Sequence, residues 1–329
     1  MNAVVEPRET EYSASRRMLP ATALRAAIAL VLLILTLFAR ALFRSSPAIA
    51  DAYASVFRYA AVLLSGAFSY LPFILAEALL YAGITGVCLY LVFQICLILT
   101  REGRLARLLR MAANLAAAAA ALWFVFMMSY GFAYYCTPLP DKLGLETRPT
   151  EAETLRDTAA WLMREACALS VSVPRNAEGS MTFGSFDAIA DTIASGYDTL
   201  ASDYGIYRST YAPVKRVRSW HAMSSFGITG IYIPFTAESC VNPDNTVPAL
   251  PFTMAHEMAH RLMIAPEDEA NFSAFLACRA HSDRRVRYSA YFMAYRYCIN
   301  ALHSADPALS YAVMDMATPE LNHDLDELN

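Results

Sequence analysis

Apolar positions divide this chain into two regions of different texture. From Ala21 to Phe43, Leu, Ile, Val and Ala follow one another with only Arg25 and Arg40 near the ends. A second apolar run extends from about Leu71 to Leu99 with Glu77 as its single charge. A third, Met111 to Tyr134, is Ala-rich at first and closes on Trp123-Phe124-Val125-Phe126-Met127-Met128. At about 1.5 Å per helical residue each run is long enough to cross a hydrocarbon layer of roughly 30 Å. The pattern therefore predicts three transmembrane helices near 21–43, 71–99 and 111–134, and arginines at their ends can snorkel to the interface. Residues 45–70 read differently. Tyr59 to Tyr70 is apolar but short for a span and is interrupted by Ser65 and Gly66, which predicts an interfacial or re-entrant piece.

Beyond residue 135 the periodicity becomes that of a water-soluble domain. Cys136-Thr137-Pro138-Leu139-Pro140 reads as the exit from the apolar region and 136–150 as a linker. Helical patterns are expected at 151–171, 184–203, 266–281, 283–304 and 307–317. Val214 to Trp220 and Gly227 to Ala237, rich in β-branched and aromatic residues, are expected to form strands. Ala255, Met258, Ala259, Leu262 and Met263 recur at the spacing of a buried helical face. The fold class expected is α+β: an N-terminal bundle of three membrane helices within 1–135, then a mainly helical domain with a small β-sheet over 151–329, long enough for its own core. There is no internal repeat.

Composition agrees with this division. Hydrophobic residues make up 57% of the 329 positions, an excess concentrated before residue 135. A cleaved signal peptide fits the first run poorly, because its apolar core is too long and no small-residue cleavage site follows. Arg101, Arg104, Arg107 and Arg110 against one Glu102 mark the turn between the second and third runs as cytoplasmic. Arg16, Arg17 and Arg25 agree for the amino terminus, although Arg40 and Arg44 at the far end of the first run dilute the bias. Three crossings place everything after about Tyr135 on the extracytoplasmic side. A net charge of −4 without a basic stripe excludes nucleic acid as an expected partner, leaving the lipid bilayer and a peptide or protein substrate. Of seven cysteines, Cys88 and Cys96 lie in an apolar run. The other five form no C-x-x-C or paired framework, so small buried residues are expected rather than zinc ligands.

His256-Glu257-Met258-Ala259-His260 carries the chemistry. Two imidazoles four residues apart on a helix point the same way and can hold one Zn²⁺, while the intervening glutamate can take a proton from water at the metal. A catalytic zinc wants a third protein ligand and an open position. Glu267-Asp268-Glu269-Ala270-Asn271 follows seven residues later, behind Pro266 at a helix start. Glu267 and Asn271 share a helical face, so Glu267 is the preferred ligand, with the Asn271 amide supporting a histidine ring. Glu269 lies about 160° away around the helix and is the reserve. Acids also belong in a first helical turn for the sake of the helix dipole, so no single one of them requires a metal.

This set predicts a zinc-dependent metallopeptidase with Glu257 as general base. The alternative is a non-catalytic zinc-binding membrane sensor or assembly module. An intramembrane protease is disfavoured, since Pro248, Pro251, Arg261 and the acidic run place the motif in a water-accessible domain. Gly227 to Phe235 could offer an edge strand to an extended peptide. A further donor for the transition-state oxyanion is wanted, and spacing does not choose among His221, His281, Arg279 and Tyr291.

Tyr70-Leu71-Pro72-Phe73 with Glu77, Gly227-Ile228-Thr229-Gly230-Ile231-Tyr232, Pro234-Phe235-Thr236-Ala237-Glu238, Val241-Asn242 and Leu250 through Phe275 together resemble a family of bacterial membrane proteins with three expected spans and a zinc-peptidase-like domain, catalogued as a domain of unknown function. The resemblance covers most of residues 20–280. It implies a gluzincin-like fold in a multi-pass bacterial membrane protein, with His256, Glu257 and His260 in their usual roles. The E-x-x-A-D or E-x-x-A-N pattern of such peptidases matches Glu267, Ala270 and Asn271. Cys240 stands where Asn is expected before Val241, and Arg261 and Pro266 replace the commoner Gln and Arg.

Overall fold

The computed structural model describes residues 7–207 and 212–328, with side chains from residue 20 onward, so the side chains of Arg16 and Arg17 lie outside the described residues. Four long helices come first: α1 (Pro7–Ser45), α2 (Pro47–Ser69), α3 (Leu75–Thr100) and α4 (Arg104–Ser129). Four segments, Pro20–Ser45 and the whole of α2, α3 and α4, are long and apolar enough to cross a membrane.

Two expectations need correcting here. Within 45–70 the structure has not a short apolar piece but one continuous helix over Pro47–Ser69, because Pro47 sits in its first turn and Ser65 bonds back to the Val62 carbonyl without breaking the ladder. The third run is shifted towards the amino terminus. Arg104, Arg107 and Arg110 lie on α4 itself, after the left-handed Gly103, and the helix stops at Ser129 where Tyr130 leaves helical geometry.

Helices α1 and α4 pack side by side, and their C-terminal ends lie together. Phe43 stacks on Phe132 in the turn Gly131–Tyr135 with ring centroids 4.3 Å apart, and Arg40 Nε donates to the Tyr135 hydroxyl at 2.9 Å. The N-terminus of α3 is also tied to the following domain: Glu238 accepts from the backbone N–H groups of Leu75 and Ala76 at 3.0 and 2.9 Å. An anion at a helix N-terminus satisfies orphan donors and complements the dipole. The turn carrying Arg101, which leads into Arg104 at the start of α4, is therefore the length of α3 away from the domain, about 39 Å.

Helix α2 behaves differently from the other three, because both its ends touch the domain. Near its start Asp51 accepts from Thr137 and pairs with Lys142 at 2.7 Å. In the middle Arg58 Nε donates to the Leu262 carbonyl, and at the end the Phe68 carbonyl accepts from Lys215 Nζ. Its outer face carries exposed Ile49, Val56 and Leu63, one every seven residues.

The domain continues through α5 (Leu139–Lys142), α6 (Ala152–Ser170), α7 (Phe186–Ala201), β1 (Lys215–Arg216), α8 (Trp220–Ser225), β2 (Gly230–Ile233), β3 (Glu238–Val241), α9 (Leu250–Arg261), α10 (Glu267–Ala280), α11 (Arg284–Ala305), α12 (Pro307–Met314) and α13 (Pro319–Leu328). The chain is mostly helical with one three-stranded sheet of order β1-β3-β2, β1 parallel and β2 antiparallel to β3. Trp220 begins a helix rather than ending a strand. The central strand β3 was not foreseen: its run Glu238-Ser239-Cys240-Val241 is buried on both faces and so lacks alternation. Cys240 lies in this strand rather than in a loop, packed with Ile74 and Val217. All seven cysteines are unpaired.

Helix α9 is buried all round rather than amphipathic, His256 alone being partly exposed. It runs between the sheet and α7, α10 and α11. Small residues allow this close approach. Ala270, Ala274 and Ala277 of α10 are buried, and a Cβ on Gly196 of α7 would lie 2.3 Å from the Ala277 carbonyl oxygen.

Candidate metal centre

His256 and His260 occupy successive turns of α9, with ring centroids 4.6 Å apart and planes at 88°. The helix ends one residue after Arg261 in a tight reversal. Met263 takes φ 65°, its N–H bonds back to the His260 carbonyl, and that of Ile264 to the Ala259 carbonyl. This is a Schellman closure with methionine at the position that favours glycine. The reversal delivers the Ile264 carbonyl 2.8 Å from His260 Nδ1 and sends the chain into α10, whose first residue is Glu267.

Glu267 then faces both rings, its oxygens 3.1 Å from His256 Nε2 and 3.6 Å from His260 Nε2. One ligand atom from each of the three residues lies within 4.8 Å of the others. Asn271, one turn along α10, places Oδ1 2.9 Å from His256 Nδ1. Both Nδ1 atoms therefore have carbonyl acceptors, which orients each ring with Nε2 towards the carboxylate. Two imidazole lone pairs and a carboxylate converging on one point need a cation between them. Glu267 raises the pKa of His260 against the effect of burial, while burial and the charge on His260 push His256 down to about 4. The hydrogen bond to His260 in turn holds Glu267 below the usual carboxylate range.

Glu257 points from the same helix into the cleft beside this cluster. It is buried, its Oε2 has no hydrogen-bond partner, and burial pushes its carboxyl up to about 8. An orphaned buried carboxylate oxygen beside a convergent N,N,O donor set fits a divalent ion and a water between them. Gly230 at the start of β2 leaves room for it, since a Cβ there would lie 2.4 Å from Glu257 Oε1. Ser239 of β3 fixes the backbone by donating to the Glu257 carbonyl at 2.8 Å.

Glu269, the reserve ligand, is not among the converging groups. Its carboxylate accepts from the Leu139 backbone N–H at 3.0 Å and ties α10 to α5. None of the four candidate oxyanion donors reaches the cleft. His281 bridges the Thr192 carbonyl and the Asp283 N–H, Tyr291 packs edge-on against Trp161 and Phe275, Arg279 lies over Phe275, and His221 stacks on Trp220. The cleft, about 470 Å³, is lined instead by polar side chains that periodicity did not single out: Tyr130, Tyr134, Tyr232, Asn245, Arg296 and Tyr297. Tyr130 stands one residue past α4, and its hydroxyl lies 3.0 Å from His260 Nδ1. The only available signal was its place at the end of an apolar run.

No curated protein and no solved structure matches this chain. A family model does match, over residues 53–329, from the first third of α2 through His256, His260 and Glu267 to the end of the chain. The chain thus belongs to the family described as Protein of unknown function (DUF3810).

Proposed function

We propose that this protein is a membrane-anchored, zinc-dependent metallopeptidase of gluzincin-like type that cuts peptide bonds outside the cytoplasm. The observation that carries the reading is the convergence of His256, His260 and Glu267 beside the unpartnered carboxylate oxygen of Glu257. His256, His260 and Glu267 hold the ion, and Asn271 and the Ile264 carbonyl keep the two rings turned to it. Zinc in this position supplies a Lewis acid that polarises the scissile carbonyl and acidifies water. Glu257 takes the proton from the attacking water and returns it to the leaving amine, and its burial raises its proton affinity into the range where such a base works near neutral pH.

Strand β2 supports a peptide substrate. It is one of the two edge strands of the sheet and contributes Gly230, Ile231 and Tyr232 to the cleft wall, so its outer edge can pair with an extended chain laid across the metal cluster. For the anchor we favour α1, α3 and α4 as the crossing helices with α2 lying on the membrane surface, since α2 touches the domain at both ends. The arginine-rich α3–α4 turn then faces the cytoplasm and the domain the opposite side. A second reading, a zinc-binding sensor without turnover, is favoured by the close approach of the Tyr130 hydroxyl, just past the end of α4, to the His260 ring at 3.0 Å, which sets the cluster against a membrane helix.

The test is metal analysis together with cleavage of a peptide library by the full chain and its Glu257→Gln variant. Stoichiometric zinc in both proteins with cleavage lost only in the variant is expected. Zinc in both with no cleavage by either selects the sensor.

A further inference from the structure

The cleft is built jointly by the domain and by the end of a membrane helix. Phe126, in the last turn of α4, lines the same cavity as His256, Glu257 and His260, as do Tyr130 and Tyr134 just beyond it. The Tyr130 hydroxyl, 3.0 Å from His260 Nδ1, bounds the distance: the cluster of His256, His260 and Glu267 lies within about one tyrosine side chain of the end of α4, on the order of 10 Å at most. That is the depth of the headgroup layer, since polar regions add roughly 5–8 Å on each side of the hydrocarbon core. The surroundings of the cleft suit such a position. Tyr134, Ile228 and Ile231 line it with apolar surface open to the outside, and Phe226 and Phe235 beside them are also exposed. Apolar side chains gathered at the end of a membrane helix belong at the interface rather than in bulk water.

Resting on the peptidase reading, we infer that the substrate is a polypeptide itself anchored in the same membrane, cut within a few residues of the bilayer surface. The anchored end leaves the cleft past Phe126 and Tyr134 into the lipid, and the extended segment next to it pairs with β2. At about 3.3–3.6 Å per extended residue, a gap on the order of 10 Å places the scissile bond roughly three residues from the anchor. A diacyl group or a transmembrane helix can supply that anchor, because the cleft sees the extended segment and an apolar exit in either case.

The experiment uses the full chain in lipid nanodiscs with zinc and one common peptide core presented in three forms: free, on a diacylglyceryl anchor, and on an apolar transmembrane helix. The two anchored series carry spacers of increasing length. Anchored substrates are expected to be cut with kcat/KM about 100-fold above the free peptide, the scale of an effective-concentration gain. The cut is expected to stay at a constant distance from the anchor as the spacer grows. Preference for one anchored series identifies the source of the anchor. Equal cleavage of free and anchored peptides, or a cut that moves with the core sequence along longer spacers, overturns the inference while leaving the peptidase reading intact.

A readout independent of turnover separates the two. In a Glu257→Gln background, a photoreactive benzoylphenylalanine replacing Tyr134 is expected to capture anchored peptides and not the free one. Capture of anchored peptides with no zinc-dependent cleavage of any form by the parent chain overturns the peptidase reading but not the location of the binding cleft. Equal capture of all forms overturns the location.

Discussion

The Tyr130 hydroxyl and His260 Nδ1 are 3.0 Å apart, yet Nδ1 also faces the Ile264 carbonyl at 2.8 Å. One ring nitrogen cannot both donate its proton to the carbonyl and accept one from the phenol. When Nε2 carries a metal, Nδ1 keeps its hydrogen and the carbonyl is the partner that orients it.

The two ring supports are therefore unequal. Among the described residues Asn271 is the one hydrogen-bond partner of His256 Nδ1, so Asn271→Ala is expected to weaken zinc binding about 10–100-fold. Tyr130→Phe leaves the Ile264 carbonyl in place and is expected to change zinc affinity by much less. Competition with a chromophoric zinc chelator measures both, and an equal loss in the two variants would refute the ranking.

Glu267 and Glu269 are expected to part company on mutation. Glu267→Ala removes the only carboxylate that faces both rings among the described residues and should abolish stoichiometric zinc. Glu269→Ala should leave zinc bound but destabilise the fold by about 1–3 kcal/mol, because the Leu139 N–H loses its acceptor. Elemental analysis and thermal unfolding of the same preparations check both outcomes.

Gly230 guards the base. In Gly230→Ala the new Cβ would press on Glu257 at Oε1 and Cγ, 2.4 and 2.8 Å away, and push the carboxylate out of position. Cleavage is expected to fall by about 10²–10⁴, the range associated with a general base, while zinc content stays unchanged. Retained cleavage would mean that Glu257 works from a different position.

Docking of α3 on the domain is expected to depend on pH through Glu238. Burial raises this carboxyl, but bonds from Lys215, the Ala76 and Leu75 N–H groups and Thr236 outweigh it and hold the group below its ordinary value of 4.5. A depressed folded pKa contributes stability that is present above 4.5 and lost as pH falls through the folded value. Glu238→Gln should cost about 1.5–3 kcal/mol at neutral pH and flatten the acid limb of the stability profile. Thermal unfolding of both proteins across the acid range, in one fixed detergent, measures it.

Much of the site is legible in the sequence because helical spacing carries it. His256, Glu257 and His260 share a helix, and Glu267 and Asn271 share another, so their relative directions follow from 3.6 residues per turn. The long apolar runs were equally plain, since length and composition alone determine whether a helix can cross a bilayer.

What spacing cannot reach is the meeting of separate elements. That Glu267 rather than Glu269 turns to the rings was decided by the Met263 reversal and by Leu139 claiming the other carboxylate. Strand β3 escaped notice because burial on both faces erases alternation. Helix α2 looked too short because Ser65 and Gly66 interrupt its apolarity without interrupting its backbone bonds. Tyr130, 130 residues from His260, becomes its neighbour only because the end of α4 packs against the domain. The sequence by itself determined the ligands available on each helix and the apolar stretches, because these are local properties of the chain. Tertiary packing decided which of those groups converge, and that the end of α4 lines their cleft, because convergence depends on contacts between elements far apart in sequence.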